Sequence, residues 1–239
     1  MLKEVRSQVV ADLVTANQIL AHQAVLDGYG HCSARCEDNP NEYYIGDATP
    51  PGNVREENVF RWDLDSNPVG HKQPTYGERY IHGQIYRARP DVNAIVHCHA
   101  PELIPFHASG IPLRPVYHMA GFQGEEALPV FEIRDLFGLE TDLLIRSNEQ
   151  GAALADALGE RPAVLMSGHG GTIVGRSVQQ AVLRAVYAVV NARALTQTLL
   201  LGGNPRYINA AEGRNIANIL GDGSRTWDYL SRIATSERL

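Results

Sequence analysis

Ala94-Ile95-Val96-His97-Cys98-His99-Ala100 is the stretch on which the reading of the whole chain turns. An apolar, β-branched run leads into a His-x-His pair, and on a strand alternate side chains share one face. Sheet backbone therefore presents two imidazoles side by side, a chelating pair of the kind from which divalent metal sites are built. Cys98 between them points to the other face, which fits a structural role better than a nucleophilic one.

Working outward, two further ligands come into view. Ala163 to Met166 reads as a buried strand running into Ser167-Gly168-His169-Gly170-Gly171, after which Thr172 to Gly175 resumes it. Glycines on both sides of His169 permit unusual backbone and close approach of a cofactor or substrate. Upstream, Thr75 to Arg89 reads as a helix with Tyr80, Ile81, Ile85 and Tyr86 on one side and Glu78 in its first turn. A carboxylate there is ordinary helix chemistry, favoured by the dipole. With His97, His99 and His169 it makes a four-ligand set, and the function this predicts is metal-assisted chemistry on a small molecule.

The other histidines divide by context. His82 follows Glu78 by four residues and either orients it from behind or is a surface residue. His31, in the turn Gly28-Tyr29-Gly30-His31, and His118, after a run with two prolines, are candidates for substrate contact. His22 and His71 look solvent-facing, and His107 carries no signal.

The remaining periodicities fill in the fold. Residues 4 to 26 predict an amphipathic helix ended by Asp27-Gly28, with Val5, Val9, Leu13, Ala16, Ile19 and Leu20 at three- and four-residue steps. Short strands are expected at Cys32 to Cys36, Glu42 to Ile45, Val59 to Leu64, Arg114 to His118 and Leu143 to Ile145. Further helices are expected at Asn148 to Leu158 and at Val178 to Leu201, the latter capped by Ser177 and stopped by Gly202-Gly203. Strands interleaved with helices make an α/β protein, a layered α/β/α domain, and no linker divides residues 1 to 239 into two.

Composition narrows the class. The 239 residues are 44% hydrophobic and 20% charged, an ordinary globular balance. A net charge of -6 leaves no basic excess for nucleic acid. No apolar run approaches the roughly 18 to 20 residues that span a bilayer. Three cysteines, Cys32, Cys36 and Cys98, do not form a disulfide framework, and with no signal-peptide core at the N-terminus the expected location is the cytoplasm. There is no nucleophile elbow, Walker loop or dinucleotide fingerprint.

These residues resemble a known family. Glu78, then Ile85-Tyr86-Arg87-Ala88-Arg89-Pro90-Asp91-Val92-Asn93-Ala94-Ile95-Val96-His97-Cys98-His99, then Gly168-His169-Gly170, are similar to the class II aldolase/adducin pattern, and Gly30-His31-Cys32-Ser33-Ala34-Arg35 falls where that family carries a Gly-Asn-x-Ser-x-Arg turn. The resemblance runs from the first helix to about residue 205. It implies a three-layer α/β/α fold with a central mixed, largely antiparallel sheet. It also implies one divalent metal ion per subunit, held by His97, His99 and His169 with Glu78 as ligand or acid/base. Zn2+ or Mn2+ suits that donor set, with Fe2+ or Co2+ as alternatives. A homo-oligomer is implied too, often a tetramer with active sites at subunit interfaces and the region from Arg206 to Leu239, with Trp227 and Tyr229, packed over a neighbour's site.

The departures from the family pattern point to the substrate. Its sugar-phosphate enzymes hold phosphate with a Ser-Ser pair before the glutamate and with the Asn of the turn. Here Tyr76-Gly77 precede Glu78, His31 replaces the Asn, and the loop from Gly46 to Gly52 only partly matches a Thr-Pro-Ser-Gly segment. An aromatic ring and an imidazole in place of small hydroxyls suit a flatter, non-phosphorylated substrate. The Gly-His-x-Ser-Ala-Arg turn, Gly77-Glu78-Arg79 and Tyr117-His118-Met119-Ala120 are similar to the family's decarboxylases of aromatic hydroxy-acids, which act on 3-hydroxy-2-methylpyridine-4,5-dicarboxylate or 3,4-dihydroxyphthalate. The expected function is metal-dependent decarboxylation of a hydroxylated aromatic or heteroaromatic acid, with the metal as Lewis acid and electron sink. Glu78, His118 and His31 are the candidate proton donors. Ser33, Arg35, Thr49, Tyr76 and Arg79 are the candidate substrate contacts, the arginines for a second carboxylate. Alternatives are retro-aldol cleavage of a non-phosphorylated hydroxy-keto acid, an adducin-like non-catalytic module, and an iron-dependent oxygenase.

Overall fold

The computed structural model describes residues 7–236. Along the chain these form α1 (Gln8–His22), β1 (His31–Arg35), β2 (Glu42–Gly46), β3 (Val59–Asp63), α2 (Tyr80–Ala88), β4 (Ala94–Cys98), α3 (Ile104–Ser109), β5 (Val130–Phe131), α4 (Ile133–Phe137), α5 (Asn148–Leu158), β6 (Ala163–Met166), β7 (Gly170–Gly175), α6 (Val178–Leu200), α7 (Ala210–Leu220) and α8 (Ser224–Ser236). The strands make one sheet in the order β3-β2-β1-β4-β7-β6-β5. All neighbours are antiparallel except β5 and β6, which are parallel. The architecture is thus the expected α/β/α fold with a mixed, largely antiparallel sheet.

Each face of the sheet carries its own core. Val10, Leu13, Leu20, Val182, Val186 and Val189 from α1 and α6 pack on one side. Ile81, Ile85, Leu154 and Leu158 from α2 and α5 pack on the other. β4 lies between, buried at every position, and so reads as a continuous apolar run rather than an alternation. Ala94, Val96 and Cys98 enter the first core and Ile95 the second, so alternation turns His97 toward α2. Burial pushes the Cys98 thiol up to about 11, which keeps it protonated and inert. Among the described residues no helix is long and apolar enough to cross a membrane.

Several elements depart from expectation, each for a local reason. The first helix ends at His22 rather than at residue 26, because Ala24 adopts a left-handed φ of 54° and the N–H groups of Val25 and Leu26 both turn back to the Leu20 carbonyl. Residues 4–6 of that expected helix lie outside the described residues. The helix expected from Thr75 begins at Tyr80: Thr75 bridges to Asp47 and donates its hydroxyl to the Gly46 carbonyl. Glu78 therefore sits in the turn before the helix, not in its first turn.

Arg114 to His118 is not a strand. The Asn191 side chain on α6 takes the place of a neighbouring strand, accepting from the Val116 and Tyr117 N–H groups and donating to the Arg114 carbonyl. Leu143 to Ile145 is not a strand either, since Leu143 has a φ of 66° and the backbone there serves the site described below. Thr172 to Gly175 does not resume β6 but reverses it as the antiparallel neighbour β7.

Candidate metal centre

Sheet register sets three of the central residues in a row. His31 on β1 faces His97 on β4, and His97 faces Thr172 on β7. Directly opposed residues share a face, so all three side chains project toward α2. His99 follows the end of β4, His169 lies in the β6–β7 turn, and Glu78 stands in the turn before α2. Close approach of that turn depends on glycine. A side chain at Gly170 would put its Cβ 2.1 Å from the Cys98 carbonyl oxygen, inside the segment that bears two of the histidines.

Four donor atoms converge. His97 Nε2 lies 3.4 Å and His169 Nε2 3.2 Å from Glu78 Oε2, and the Nε2 atoms of His97 and His99 are 3.2 Å apart. All ligand atoms of the set lie within 4.8 Å of one another. Ion–ligand bonds of about 2.0–2.2 Å place adjacent ligands roughly 3–3.6 Å apart, so these spacings fit one shared divalent ion.

The hydrogen bonds behind the histidines fit it as well. His169 donates from Nδ1 to the Leu143 carbonyl at 2.8 Å. His99 donates from Nδ1 to the Asp27 carboxylate at 3.1 and 3.2 Å. The Thr172 hydroxyl lies 3.4 Å from the Met166 sulfur and 3.3 Å from His97 Nδ1, so it can donate to the sulfur while accepting from that nitrogen. His99 and His169 thus carry the proton on Nδ1 and turn the Nε2 lone pair inward, and the Thr172 hydroxyl allows the same at His97, the arrangement a cation requires. His107, silent in the sequence, accepts the Gly168 N–H and steadies the turn that carries His169.

Glu78 is buried, and burial alone would raise its pKa; the His97 and His169 imidazoles overcome this and hold the carboxyl well below its usual range. Its Oε1 accepts the Ile145 N–H at 2.9 Å, which leaves Oε2 for the histidines. Burial pulls His97 down, whereas the Glu78 carboxylate outweighs burial at His169 and raises it.

Beside the cluster stands an aromatic wall. The His31 ring lies 4.9 Å from His97 and 4.5 Å from Tyr76, centroid to centroid. Tyr76 donates its hydroxyl to the Thr49 carbonyl at 2.6 Å, which brings Thr49 to the same edge. His82 neither orients Glu78 nor lies on the surface: it is fully buried and joins His31 Nδ1 at 2.7 Å.

Other expected contacts are committed elsewhere. Ser33 is sealed in the interior, bonded to His82 and Tyr86. Arg35 lies at the far end of β1 from His31, and its guanidinium serves the carbonyls of Val92, Pro40, Tyr86 and Arg89. Arg79 donates to the Ser66 carbonyl and to the Tyr80 hydroxyl. His118 is exposed and lines a separate cavity of about 520 Å³ with Met119, Leu183 and Tyr187, so the fold of one chain does not bring it to the cluster. His22 is exposed as expected, but His71 is half-buried, 2.7 Å from the Arg61 carbonyl and packed on Phe60. Asp27, Thr172 and the Leu143 carbonyl were not foreseen, because nothing in their local spacing marks them as partners of a distant histidine.

Residues 11–196 match the Class II Aldolase and Adducin N-terminal domain family. The chain is 36% identical over 205 residues to "Decarboxylase tropJ" of Talaromyces stipitatus, covering 80% of this chain and 77% of that one. It is 30% identical over 205 residues to the 3,4-dihydroxyphthalate decarboxylase of Arthrobacter keyseri, covering 80% and 79%. Among solved structures, an aldolase II superfamily protein from Pseudomonas syringae superposes with a TM-score of 0.77 at 21% identity, over 96% of this chain and 93% of that one. An L-fuculose 1-phosphate aldolase from Glaciozyma antarctica does so with a TM-score of 0.74 at 19% identity, over 100% and 94%.

Proposed function

Because this chain belongs to the class II aldolase and adducin family, we propose that it is a divalent-metal-dependent decarboxylase of a hydroxylated aromatic or heteroaromatic carboxylate. The observation that carries the proposal is the Glu78-His97-His99-His169 cluster with the His31–Tyr76 wall beside it. Similarity to two decarboxylases, one of them acting on 3,4-dihydroxyphthalate, supports the same reading.

The reaction is simple in its balance. The bond from ring carbon to carboxylate breaks, CO2 leaves, and the ring carbon keeps the electron pair and takes one proton. A divalent ion held by the four residues would supply the Lewis acid that steadies negative charge building on the adjacent ring oxygen. Tyr76 offers a flat surface against which an aromatic acid can lie, and its own hydroxyl is tied to Thr49. His31 stands at the cluster as a buried imidazole able to face the ring, and Glu78 is the second group there that can carry a proton. Neither Arg35 nor Arg79 is free to clamp a second carboxylate.

Zn2+ or Mn2+ is the proposed ion, and a cytoplasmic homo-tetramer the proposed form. A subunit contact would cover the exposed Leu136, Leu139, Leu200, Leu201 and Ile219 and bring His118 toward a neighbour's site. The test is incubation of metal-loaded enzyme with dihydroxyphthalates, hydroxybenzoates and 3-hydroxy-2-methylpyridine-4,5-dicarboxylate. CO2 release from one of them is expected. An aldehyde product from a hydroxy-keto acid, with no CO2 from any aromatic acid, would replace this reading with an aldolase.

A further inference from the structure

We propose that His82, Ser33 and Tyr86 are positioning residues that fix His31 as its Nε2–H tautomer, so that His31 meets the substrate as a hydrogen-bond donor. What the donor meets rests on the reaction proposed above. The direction of the hydrogen-bonded line rests on burial and proton counting alone.

The four groups form a sealed line. Tyr86 Oη lies 2.8 Å from Ser33 Oγ, Ser33 Oγ 2.6 Å from His82 Nδ1, and His82 Nε2 2.7 Å from His31 Nδ1. Solvent exposure is 1% for Tyr86, 0% for Ser33 and His82, and 2% for His31. Local structure builds this line. His31 and Ser33 are two apart on β1 and share a face, while His82 and Tyr86 are four apart on α2 and descend together onto it.

Proton counting gives the line one direction. Among the described residues the Tyr86 hydroxyl has Ser33 Oγ as its hydrogen-bond partner and no other. A sealed phenol must place its proton on an acceptor, so Tyr86 donates to Ser33. The Ser33 proton then goes to His82 Nδ1, which requires His82 to carry its own proton on Nε2 and to donate it to His31 Nδ1. His31 is left with its proton on Nε2. The opposite direction would leave the buried Tyr86 O–H with no acceptor.

His31 Nε2 is the open end. It has no hydrogen bond among the described residues. The ring it belongs to lies 4.5 Å from that of Tyr76 and 4.9 Å from that of His97, one of the proposed metal ligands. His31 thus adds an oriented donor, where the line behind it prevents the ring from offering a lone pair instead.

The test is nitrogen NMR of the full chain, loaded with Zn2+ and labelled with 15N-histidine, at neutral pH. The His31 signals are assigned by their loss in His31→Gln. Two-bond correlations separate protonated from lone-pair ring nitrogens. His31 is expected to show its lone pair on Nδ1. Ser33→Ala, which removes the donor to His82, is expected to give a mixture of His31 tautomers. It should also lower kcat on the order of tenfold, with zinc stoichiometry unchanged. Tyr86→Phe is expected to shift the same ratio less, and it carries the test if Ser33→Ala does not fold. A lone pair on His31 Nε2 in the wild type, or a tautomer ratio untouched by either variant, overturns the inference. The expected tautomer in an enzyme that releases no CO2 upholds the line and removes the reaction. CO2 release with the opposite tautomer removes the line alone.

Discussion

Asp27 holds His99 by the nitrogen that faces away from the cluster, with its carboxylate oxygens 3.1 and 3.2 Å from His99 Nδ1. The same carboxylate accepts the N–H groups of Tyr29 and Gly30, so a loop just after α1 is locked onto a ligand presented by the central strand. Burial would raise the Asp27 pKa, but these two N–H groups and His99 together hold it below its ordinary value. An ionised carboxylate there makes His99 a better ligand. Asp27→Asn keeps an acceptor for the loop but removes the charge, and metal affinity should fall about 10- to 100-fold. A competitive chelator titration measures this, and unchanged affinity would remove Asp27 from the site.

Gly170 makes a steric prediction. With the Cβ of an added alanine 2.1 Å from the Cys98 oxygen and 2.9 Å from His99 Cα, β7 cannot stay against the ligand segment. Gly170→Ala should cost about 3 kcal/mol or more in urea unfolding and should weaken metal binding as well. A variant of wild-type stability would show that the turn relaxes freely.

Arg35 is predicted to matter for folding alone. Its guanidinium answers four carbonyls that would otherwise lack that donor, so Arg35→Met should lower stability by about 2–3 kcal/mol. KM of the folded fraction should stay within about twofold. A large rise in KM with little loss of stability would return Arg35 to the substrate.

Stability of the metal-free protein should fall in acid through buried imidazoles. Burial, aided by the nearby His97, pushes His82 down to about 3, and burial likewise lowers His31 and His97. A histidine depressed in the folded state binds its proton more readily when unfolded. Its contribution is therefore complete above the unfolded pKa of about 6.5 and is lost as pH drops below it. Each such group steepens the loss by up to about 1.4 kcal/mol per pH unit. His169, raised by Glu78, acts with the opposite sign and in the window above about 6.5. Urea unfolding between roughly pH 5 and 6.5 reads the slope, and His82→Gln should flatten it by nearly one proton. A slope indifferent to that change would mean that His82 is not the depressed group.

Much of this site was legible in the sequence, and the reason is local. Alternation along β4 and glycine around His169 are properties of neighbouring residues, so His97, His99 and His169 could be found by spacing. Glu78 was found too, though it was expected inside a helix that in fact starts at Tyr80, two residues after it, because the tie from Thr75 to β2 is a tertiary contact. Asp27, Thr172 and the Leu143 carbonyl reach the histidines across 72, 75 and 26 residues of chain, and no local pattern encodes such a distance. The same holds for Ser33 and His82, whose polarity looked like surface or substrate chemistry. Leu143 to Ile145 looked like a strand because its residues are apolar, yet its backbone groups are bonded to His169 and Glu78 instead of to a neighbouring strand.

The central claim is metal-dependent decarboxylation, and trapped CO2 tests it most directly. Purified enzyme with one equivalent of Zn2+ or Mn2+ is given 3,4-dihydroxyphthalate or the related hydroxy-acids, with a chelated sample beside it. The prediction is one CO2 for each acid consumed, abolished by chelation and restored by the ion. No CO2 from any acid, or release that ignores the chelator, would contradict it.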